Sequence, residues 1–255
     1  MSGLEGRHTI ITGGGGGIGS ATSSHFAALG ARVAIFDRDE AAAKKVADRI
    51  RDNGGDARHF VCDITSRSDV EAAVSASIEA FGPVSVLVNN AGWDIFRPFL
   101  KTTPDEWQRL IDINLTGALH MHHVVLPGMI ENKYGRVINI ASDAARVGSS
   151  GEAVYAACKA ALVAFSKTLA REHSRDGITF NVVCPGPTDT NLFAEYSRGA
   201  SNPEKLLEAF RRSIPLGRIG EPEDLPGAIA FFASDAASFV TGQVLSVSGG
   251  LTMAG

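Results

Sequence analysis

The strongest constraint on the fold of this chain is a run of five glycines at residues 13–17, followed by Ile18 and Gly19. The run comes directly after the buried-strand pattern of His8–Thr12 and opens a segment with helical spacing. Glycine permits a tight turn with unusual φ and ψ angles, and it lets the backbone approach a pyrophosphate that meets the amide dipoles of the helix N-terminus. A glycine turn in this position predicts a dinucleotide-binding βα unit, whereas a merely flexible turn is the alternative.

The run is continuous, so two registers of the dinucleotide motif fit it. One is Gly14-x-Gly16-x-x-Gly19 and the other is Gly13-x-x-x-Gly17-x-Gly19. Glycine makes up 28 of the 255 residues, about 11% against the ~7% that is typical of globular proteins. Six of these glycines lie in the turn. The high glycine content therefore reflects the backbone conformation that the turn requires more than a generally flexible chain.

Short β-branched apolar runs alternate along the whole chain with longer segments of helical spacing. This alternation predicts a single-domain α/β fold of the Rossmann type, a doubly wound parallel sheet of about seven strands with helices on both faces. The predicted strands are His8–Thr12, Arg32–Phe36, Ala57–Val61, Val84–Val88, Gly135–Ala141, Ile178–Cys184 and Gln243–Val247. The predicted helices cover residues 18–29, 39–53, 66–81, 104–131, 152–174 and 222–234.

No linker or shift in composition divides the chain, so residues 1–255 are predicted to form one dinucleotide-binding and catalytic domain. The stretch 186–221 departs from the alternation and is rich in Pro and Gly. Loops at the carboxyl ends of strands surround the ligand in an open α/β sheet. A long insertion after the sixth strand therefore predicts a substrate lid, with an ordinary surface excursion as the alternative.

Charge and cysteine content exclude several classes of protein. The 24 basic and 28 acidic residues give a net charge of −4, with no electrostatic footprint for nucleic acid or an anionic membrane, so we expect neither as a partner. Cys62, Cys158 and Cys184 are odd in number and form no CxxC pair, which argues against a disulfide framework or a zinc site. Nowhere do 18 apolar residues follow one another. These features predict a cytoplasmic protein.

An acidic residue, Asp37, ends the second predicted strand 18 residues beyond Gly19. Such a side chain accepts hydrogen bonds from the adenosine ribose hydroxyls and repels the additional phosphate of NADP. The glycine turn holds no Lys or Arg to offset this repulsion, although Arg38 stands next to Asp37, so the expected cofactor is NAD. Asp63 and Ile64 follow the third strand and are expected to bracket the adenine, with a helix N-terminal signal as the alternative.

Tyr155 and Lys159 are four residues apart in an alanine-rich helical segment, which puts both on one helix face. A tyrosine with its ordinary pKa of ~10 is a poor base near neutrality, and a nearby ammonium group is expected to lower that pKa. Ser142 closes the fifth strand thirteen residues before Tyr155, and Asn89-Asn-Ala-Gly92 follows the fourth. These groups are therefore predicted to meet at the ligand-facing edge of the sheet.

With these motifs in order, the chain resembles the short-chain dehydrogenase/reductase family over essentially its whole length. The matching pieces are Thr12-Gly-x-x-x-Gly-x-Gly19, Asn89-Asn-Ala-Gly92, Asn114, Ser142, Tyr155-x-x-x-Lys159 and Pro185-Gly186. The resemblance implies that Tyr155 exchanges the alcohol proton, Ser142 hydrogen-bonds the reacting oxygen, and Lys159 binds the nicotinamide ribose. It also implies that Asn114 holds a water in a proton relay. The implied cofactor-binding set is Gly13, Gly17, Ile18, Gly19, Asn90, Ala91, Gly92, Tyr155, Lys159, Pro185, Gly186, Thr188 and Thr190, with Asp37, Asp63 and Ile64.

Two of the implied site residues also have structural explanations. Ser142 fits a plain helix cap, and Asn114 fits a surface polar residue. The histidines at 120, 122 and 123 have no carboxylate partner at ligand spacing, so no metal is predicted.

Several stretches around Trp93, Arg146 and Thr188 resemble the 2-hydroxycyclohexanecarboxyl-CoA dehydrogenases, a group within this family. That resemblance implies NAD-linked oxidation of a ring hydroxyl β to a thioester, whereas resemblance to the family as a whole implies a homotetramer. Trp93, Ser142, Arg146 and Tyr155 are then the expected substrate contacts, with Arg146 on the phosphates of coenzyme A. The alternatives are an NADPH-linked 3-oxoacyl thioester reductase, against which Asp37 argues, and a nonenzymatic NAD-binding regulatory protein.

Overall fold

The computed structural model describes residues 3–198 and 203–254, and it contains one parallel sheet of seven strands. The strands are β1 (His8–Thr12), β2 (Arg32–Asp37), β3 (Asp56–Val61), β4 (Val86–Asn89), β5 (Gly135–Ile140), β6 (Ile178–Pro185) and β7 (Val244–Val247). Their order across the sheet is β3-β2-β1-β4-β5-β6-β7. The chain thus winds outward from β1 and then restarts on its other side at β4, which confirms the predicted doubly wound fold and places the switch point between β1 and β4.

The helices cover both faces of this sheet. They are α1 (Gly17–Ala28), α2 (Glu40–Asp52), α3 (Arg67–Phe81), α4 (Pro104–Ile111), α5 (Gly117–Glu131), α6 (Ala144–Val147), α7 (Ala153–Glu172), α8 (Asn191–Arg198), α9 (Pro203–Ser213) and α10 (Pro226–Ala233). Polar side chains fix several helix starts: Ser66 accepts a hydrogen bond from the amide of Asp69, and Thr103 forms a capping box with Glu106.

Successive residues of the inner strands belong to two different cores. Ile11 and Ile35 pack on one face of the sheet, whereas Ile10, Ala34 and Phe36 pack on the other. Side chains alternate across a strand, so a strand that is covered on both faces buries side chains of both orientations and is mostly apolar. This explains why the apolar runs in the sequence do not alternate strictly with polar residues, although Thr9 in β1 and Asn139 in β5 are buried polar exceptions.

Residues 104–131 do not form the single helix that the sequence predicts. A π-helical segment, Asp112–Thr116, separates α4 from α5. Such segments are rare and are frequent at functional sites, and this one contains the buried Asn114.

The stretch 186–221 contains α8 and α9, and residues 199–202 of the predicted lid lie outside the described residues.

Within the described ranges, one helix, α7, is long and apolar enough to cross a membrane by length and composition. This helix packs against β5, β6 and α4.

Candidate active site

The backbone of the glycine turn selects one of the two registers. Gly13 and Gly17 have φ angles of +62° and +47°, in the region that favours glycine. A Cβ atom on Gly19 would lie 2.1 Å from the carbonyl oxygen of Gly13, whereas a Cβ on Gly16 would meet nothing within 4 Å. The structure therefore uses the register Gly13-x-x-x-Gly17-x-Gly19. Ile18, between them, packs against the core.

The loop after β4 braces this turn. The hydroxyl oxygen of Thr12 accepts hydrogen bonds of 3.0 Å from the amides of Asn90 and Ala91. The side-chain amide of Asn90 donates to the carbonyl oxygens of Thr12 and Gly13, at 3.0 and 3.2 Å. Thr12 and Asn90 thus hold β1 and β4 together at the switch point. The contact of Asn90 and Ala91 with a cofactor stays a prediction.

Asp37 lies beside the turn with both carboxylate oxygens engaged. One oxygen accepts from the amide of Gly15 and the other from the amide of Asp39, each at 3.0 Å. The carboxylate of Asp63 accepts from the amide and hydroxyl of Thr65, at 2.9 and 2.7 Å, while the Ile64 side chain is buried against Gly117. The ends of β1, β2 and β3 thus bring the predicted adenosine-binding residues to one edge.

Residues after β6 approach the same turn from the opposite side. The methyl carbon of Thr190 lies 3.2 Å from the position that a Cβ on Gly17 would occupy. Thr188 is buried and donates to the carbonyl oxygen of Gly186 at 2.9 Å. Gly186 follows Pro185, the last residue of β6, and has no room for a Cβ because Ser248 would lie 2.7 Å away. A cleft between the glycine turn and Thr190 remains open.

Ser142, Tyr155 and Lys159 converge at the carboxyl end of β5. Ser142 follows β5, accepts a hydrogen bond of 3.1 Å from the amide of Ala144, and lies near the Tyr155 hydroxyl, whose pKa it lowers. Lys159 is only 3% exposed; its Nζ donates to the carbonyl oxygen of Ile140 at 2.9 Å and lies 5.6 Å from the centre of the Tyr155 ring. The predicted trio is therefore brought together.

Electrostatics at the trio differ from the expectation of a lowered tyrosine pKa. Burial, followed by the negative charges of Asp94 and Glu152, raises the pKa of Tyr155, and the neighbouring Ser142 hydroxyl offsets part of this rise. Burial also lowers the pKa of Lys159 to about 8. The effect of burial on the pKa of Tyr155 thus outweighs the attraction between the Lys159 ammonium and a Tyr155 phenolate. The spacing of the two residues in the sequence alone could not reveal this.

Asn114 fastens the loop that follows β4. Its side-chain oxygen accepts from the amide of Trp93 at 3.2 Å, and its side-chain nitrogen donates to the carbonyl oxygens of Trp93 and Leu110 at 2.6 and 3.0 Å. A Cβ on Gly92 would lie 3.1 Å from Asn114 Oδ1 and 3.2 Å from Lys159 Nζ. Asn114 is thus close to Lys159, while its water-holding role stays a prediction.

The predicted substrate contacts are placed unevenly. Trp93 is half-buried beside the trio, and the guanidinium of Arg109 stacks 4.1 Å from its ring centre. Arg146 instead donates to the hydroxyl of Ser246 at 2.8 Å and to the carbonyl oxygen of Ala254. Its guanidinium therefore holds the C-terminal segment, and its contact with substrate stays a prediction.

The histidines of α5 have local roles. His122 is buried and shares a hydrogen bond of 2.6 Å with the carbonyl oxygen of Ala118, and burial lowers the pKa of its imidazole to about 4. The Nδ1 atom of His120 lies 3.0 Å from the carbonyl oxygen of Ile64. Within the described ranges, no group of three His, Cys, Asp or Glu side chains could hold a metal ion.

Sequence reasoning missed two acidic side chains near the trio. The negative charges of Asp94 and Glu152 both raise the pKa of Tyr155. The available signal was position, because Asp94 follows the loop after β4 and Glu152 immediately precedes α7.

A glycine cradle at the switch point of a doubly wound sheet, with a buried lysine and a tyrosine–serine pair at its edge, defines a nicotinamide-dependent oxidoreductase acting on a CH–OH group. The comparisons agree, since the family model described as enoyl-(acyl carrier protein) reductase matches residues 14–252. The chain belongs to the short-chain dehydrogenase/reductase family.

The similar curated proteins include both dehydrogenases and reductases. The chain is 39% identical to the 2,3-dihydroxy-2,3-dihydro-p-cumate dehydrogenase of Pseudomonas putida, covering 98% of this chain and 96% of that protein. It is 37% identical to the (2S)-[(R)-hydroxy(phenyl)methyl]succinyl-CoA dehydrogenase subunit BbsD of Thauera aromatica, covering 98% of each. It is 35% identical to the 3-oxoacyl-[acyl-carrier-protein] reductase of Vibrio cholerae, covering 98% and 99%.

Solved structures share the whole fold. Levodione reductase matches with a TM-score of 0.94 and 31% identity, covering 97% of this chain and 98% of that one. An NAD⁺-bound xylitol dehydrogenase matches with a TM-score of 0.92 and 32% identity, covering 97% and 99%.

Proposed function

We propose that this oxidoreductase uses NAD to oxidise a secondary alcohol to a ketone, and that its substrate is a hydroxyacyl-CoA thioester, 2-hydroxycyclohexanecarboxyl-CoA. The observation that carries the reaction is the convergence of Ser142, Tyr155 and the buried Lys159 at the end of β5. The glycine turn fits a dinucleotide, because it is too tight for a Cβ at Gly19 and it leads directly into the N-terminus of α1.

A bound oxidised nicotinamide supplies the acceptor for the hydride that leaves the carbinol carbon. Ser142 orients the alcohol oxygen by a hydrogen bond, and Tyr155 takes the hydroxyl proton as the carbonyl forms. Lys159, held by Ile140, presents a positive charge that stabilises the phenolate needed for this step and hydrogen-bonds the ribose. In the reverse direction Tyr155 returns the proton.

The preference for NAD rests on Asp37. Its carboxylate is fixed by the amides of Gly15 and Asp39 at the end of β2, where it meets ribose hydroxyls and opposes a phosphate. The thioester substrate is supported by the sequence stretches around Trp93 and Thr188 and by BbsD, a relative whose name specifies a hydroxyacyl-CoA. We also propose that the protein is a homotetramer, which is supported by family resemblance. We propose a cytoplasmic location as well, which is supported by the three buried, unpaired cysteines.

An initial-rate comparison tests this proposal. NAD and NADP are each offered with 2-hydroxycyclohexanecarboxyl-CoA, a cis-dihydrodiol and a simple secondary alcohol, and NADH and NADPH with a 3-oxoacyl carrier substrate. The proposal expects the highest kcat/KM with NAD and the CoA thioester. Activity confined to NADPH and the 3-oxoacyl substrate would overturn both the cofactor and the substrate, and would favour the reductase that the Vibrio cholerae relative represents.

A further inference from the structure

Four buried polar side chains meet inside the fold and take no part in the reaction above. They come from four elements and each is at most 4% exposed: Asn89 on β4, His122 on α5, Asn139 on β5 and Ser166 on α7. Asn139 contacts the other three. Its side-chain nitrogen donates to Ser166 Oγ at 2.8 Å, and its side-chain oxygen accepts from the Asn89 amide at 2.9 Å. Buried polar groups are costly unless they are paired, so these contacts specify how the four elements fit together.

The neighbours of Asn139 determine which way its side-chain amide points. His122 Nδ1 lies 2.6 Å from the carbonyl oxygen of Ala118, which only accepts, so Nδ1 carries the ring proton. Burial lowers the pKa of His122 to about 4, so the ring is neutral and its Nε2, 3.3 Å from the Asn139 nitrogen, accepts. Ser166 donates its own proton to the carbonyl oxygen of Leu162 at 2.7 Å, so its oxygen accepts as well. Two acceptors thus hold the Asn139 nitrogen on the side of α5 and α7.

The Asn139–Ser166 hydrogen bond joins the same two elements as the contact that holds Lys159. Ile140 follows Asn139 in β5, and its carbonyl oxygen accepts from Lys159 Nζ at 2.9 Å. Ser166 lies about two turns beyond Lys159 in α7, on the same face of the helix. Side-chain hydrogen bonds therefore tie α7 to β5 at two points about 10 Å apart along the helix. One such point leaves the helix free to pivot about it, whereas two points fix the place of the ammonium group.

We propose that Asn139, Ser166 and His122 are positioning residues, which hold α7 against β5 so that the Lys159 ammonium stays in place beside Tyr155. The distance to be kept is the 5.6 Å between Lys159 Nζ and the centre of the Tyr155 ring. The inference rests on the proposed role of Lys159 in stabilising the Tyr155 phenolate. The three residues act through Lys159 and not on the substrate.

The test compares two variants with two matched controls. Ser166→Ala removes the acceptor on α7, and His122→Phe removes the acceptor on α5. Ser77→Ala is the control for the first, because Ser77 is also fully buried in a helix and donates to a carbonyl oxygen of that helix, at Val74, at 2.8 Å. His8→Phe is the control for the second. Like His122, His8 is buried, lies close to a backbone carbonyl oxygen, at 2.7 Å, and meets a phenylalanine ring edge-on.

The first readout does not depend on activity. An amine-reactive reagent labels the full-length proteins, and mass spectrometry of their peptides gives the labelling rate of Lys159 relative to that of the exposed Lys101. We expect Lys159 to be labelled about 5-fold faster in Ser166→Ala and His122→Phe than in the wild type, the factor that corresponds to losing one hydrogen bond. The two controls are expected to match the wild type. Equal rates in all five proteins, or the same acceleration in the controls, would overturn the proposal.

The second readout is kcat for alcohol oxidation, measured together with the free energy of unfolding in urea. We expect Ser166→Ala and His122→Phe to lower kcat by about 5-fold, and the controls to keep the wild-type kcat despite a similar loss of stability. A kcat that falls with stability in all four variants would indicate a structural role alone and would refute the inference. If the wild type oxidises no alcohol, the proposed function fails, and the labelling rates still decide whether Asn139, Ser166 and His122 position Lys159.

Discussion

Replacing Gly19 by alanine tests how tightly the glycine turn is built. Gly19 lies in α1, where helix propensity alone predicts that alanine stabilises by up to about 1 kcal/mol. The structure predicts the opposite. The new Cβ would lie 2.1 Å from the Gly13 carbonyl oxygen and 2.6 Å from the side-chain nitrogen of Asn90, so the turn and the Asn90 amide must both move.

The expected magnitude follows from what has to move. Overpacking by one methyl group costs about 1–3 kcal/mol, and the two hydrogen bonds from Asn90 to Thr12 and Gly13 contribute about 1 kcal/mol each. Subtracting the gain in helix propensity leaves about 2–4 kcal/mol of destabilisation. Gly128→Ala is the matched control, because Gly128 also lies in a helix, α5, and a Cβ there meets nothing within 4 Å.

The assay is urea unfolding of both variants, together with a fluorescence titration of NADH. We expect Gly19→Ala to be less stable than the wild type. We also expect it to bind NADH at least 10-fold more weakly, because a loss of about 1.4 kcal/mol in binding free energy raises the Kd by a factor of ten. Gly128→Ala is expected to be as stable as the wild type or slightly more stable. If Gly19→Ala matched Gly128→Ala in both measurements, the steric reasoning about the turn would be wrong.

Three further outcomes follow from single contacts. Tyr155→Phe is expected to lower kcat by about 10²–10⁴ with NADH binding intact; a kcat near that of the wild type would refute its role. Asp37→Ser is expected to raise kcat/KM for NADP relative to NAD, because it removes the charge that opposes the phosphate, and an unchanged ratio in paired rate measurements would count against it. The paired guanidinium of Arg218 lowers the pKa of Asp224 to about 2, so this pair stabilises the fold above the ordinary carboxyl pKa and less as the pH falls. The difference in urea unfolding between wild type and Asp224→Asn should therefore shrink between about pH 6 and about pH 3, and a constant difference would exclude this linkage.

The fold and the convergence of Ser142, Tyr155 and Lys159 could be predicted because their signals are local. A strand that is buried on both faces is mostly apolar, so the end of the apolar run in the sequence marks the sheet edge where Ser142 and Asp37 lie. Tyr155 and Lys159 share a helix face whatever surrounds them. Each of these inferences needed only a short window of the chain.

The features that escaped prediction depend on contacts between distant segments. Asp94 and Glu152 belong to different loops, and no motif links them before the chain folds. The break in the predicted helix 104–131 arises where the Asn114 side chain turns to the backbone of Trp93. The pKa of Tyr155 depends on how deeply the helix is buried. Spacing predicts which residues meet, but the dielectric environment in which they meet is a property of the packed structure.

The position of Lys159 shows why the chemistry lies at this edge of the sheet. A buried ammonium needs hydrogen-bond acceptors, and Ile140, the last residue of β5, offers its carbonyl oxygen at 2.9 Å. The same edge brings the Gly92 backbone so close that a Cβ there would lie 3.2 Å from Lys159 Nζ. Moving the lysine by one helical position would turn its charge away from both Ile140 and Tyr155. The spacing of Tyr155 and Lys159 is therefore fixed by the end of β5 as much as by the helix.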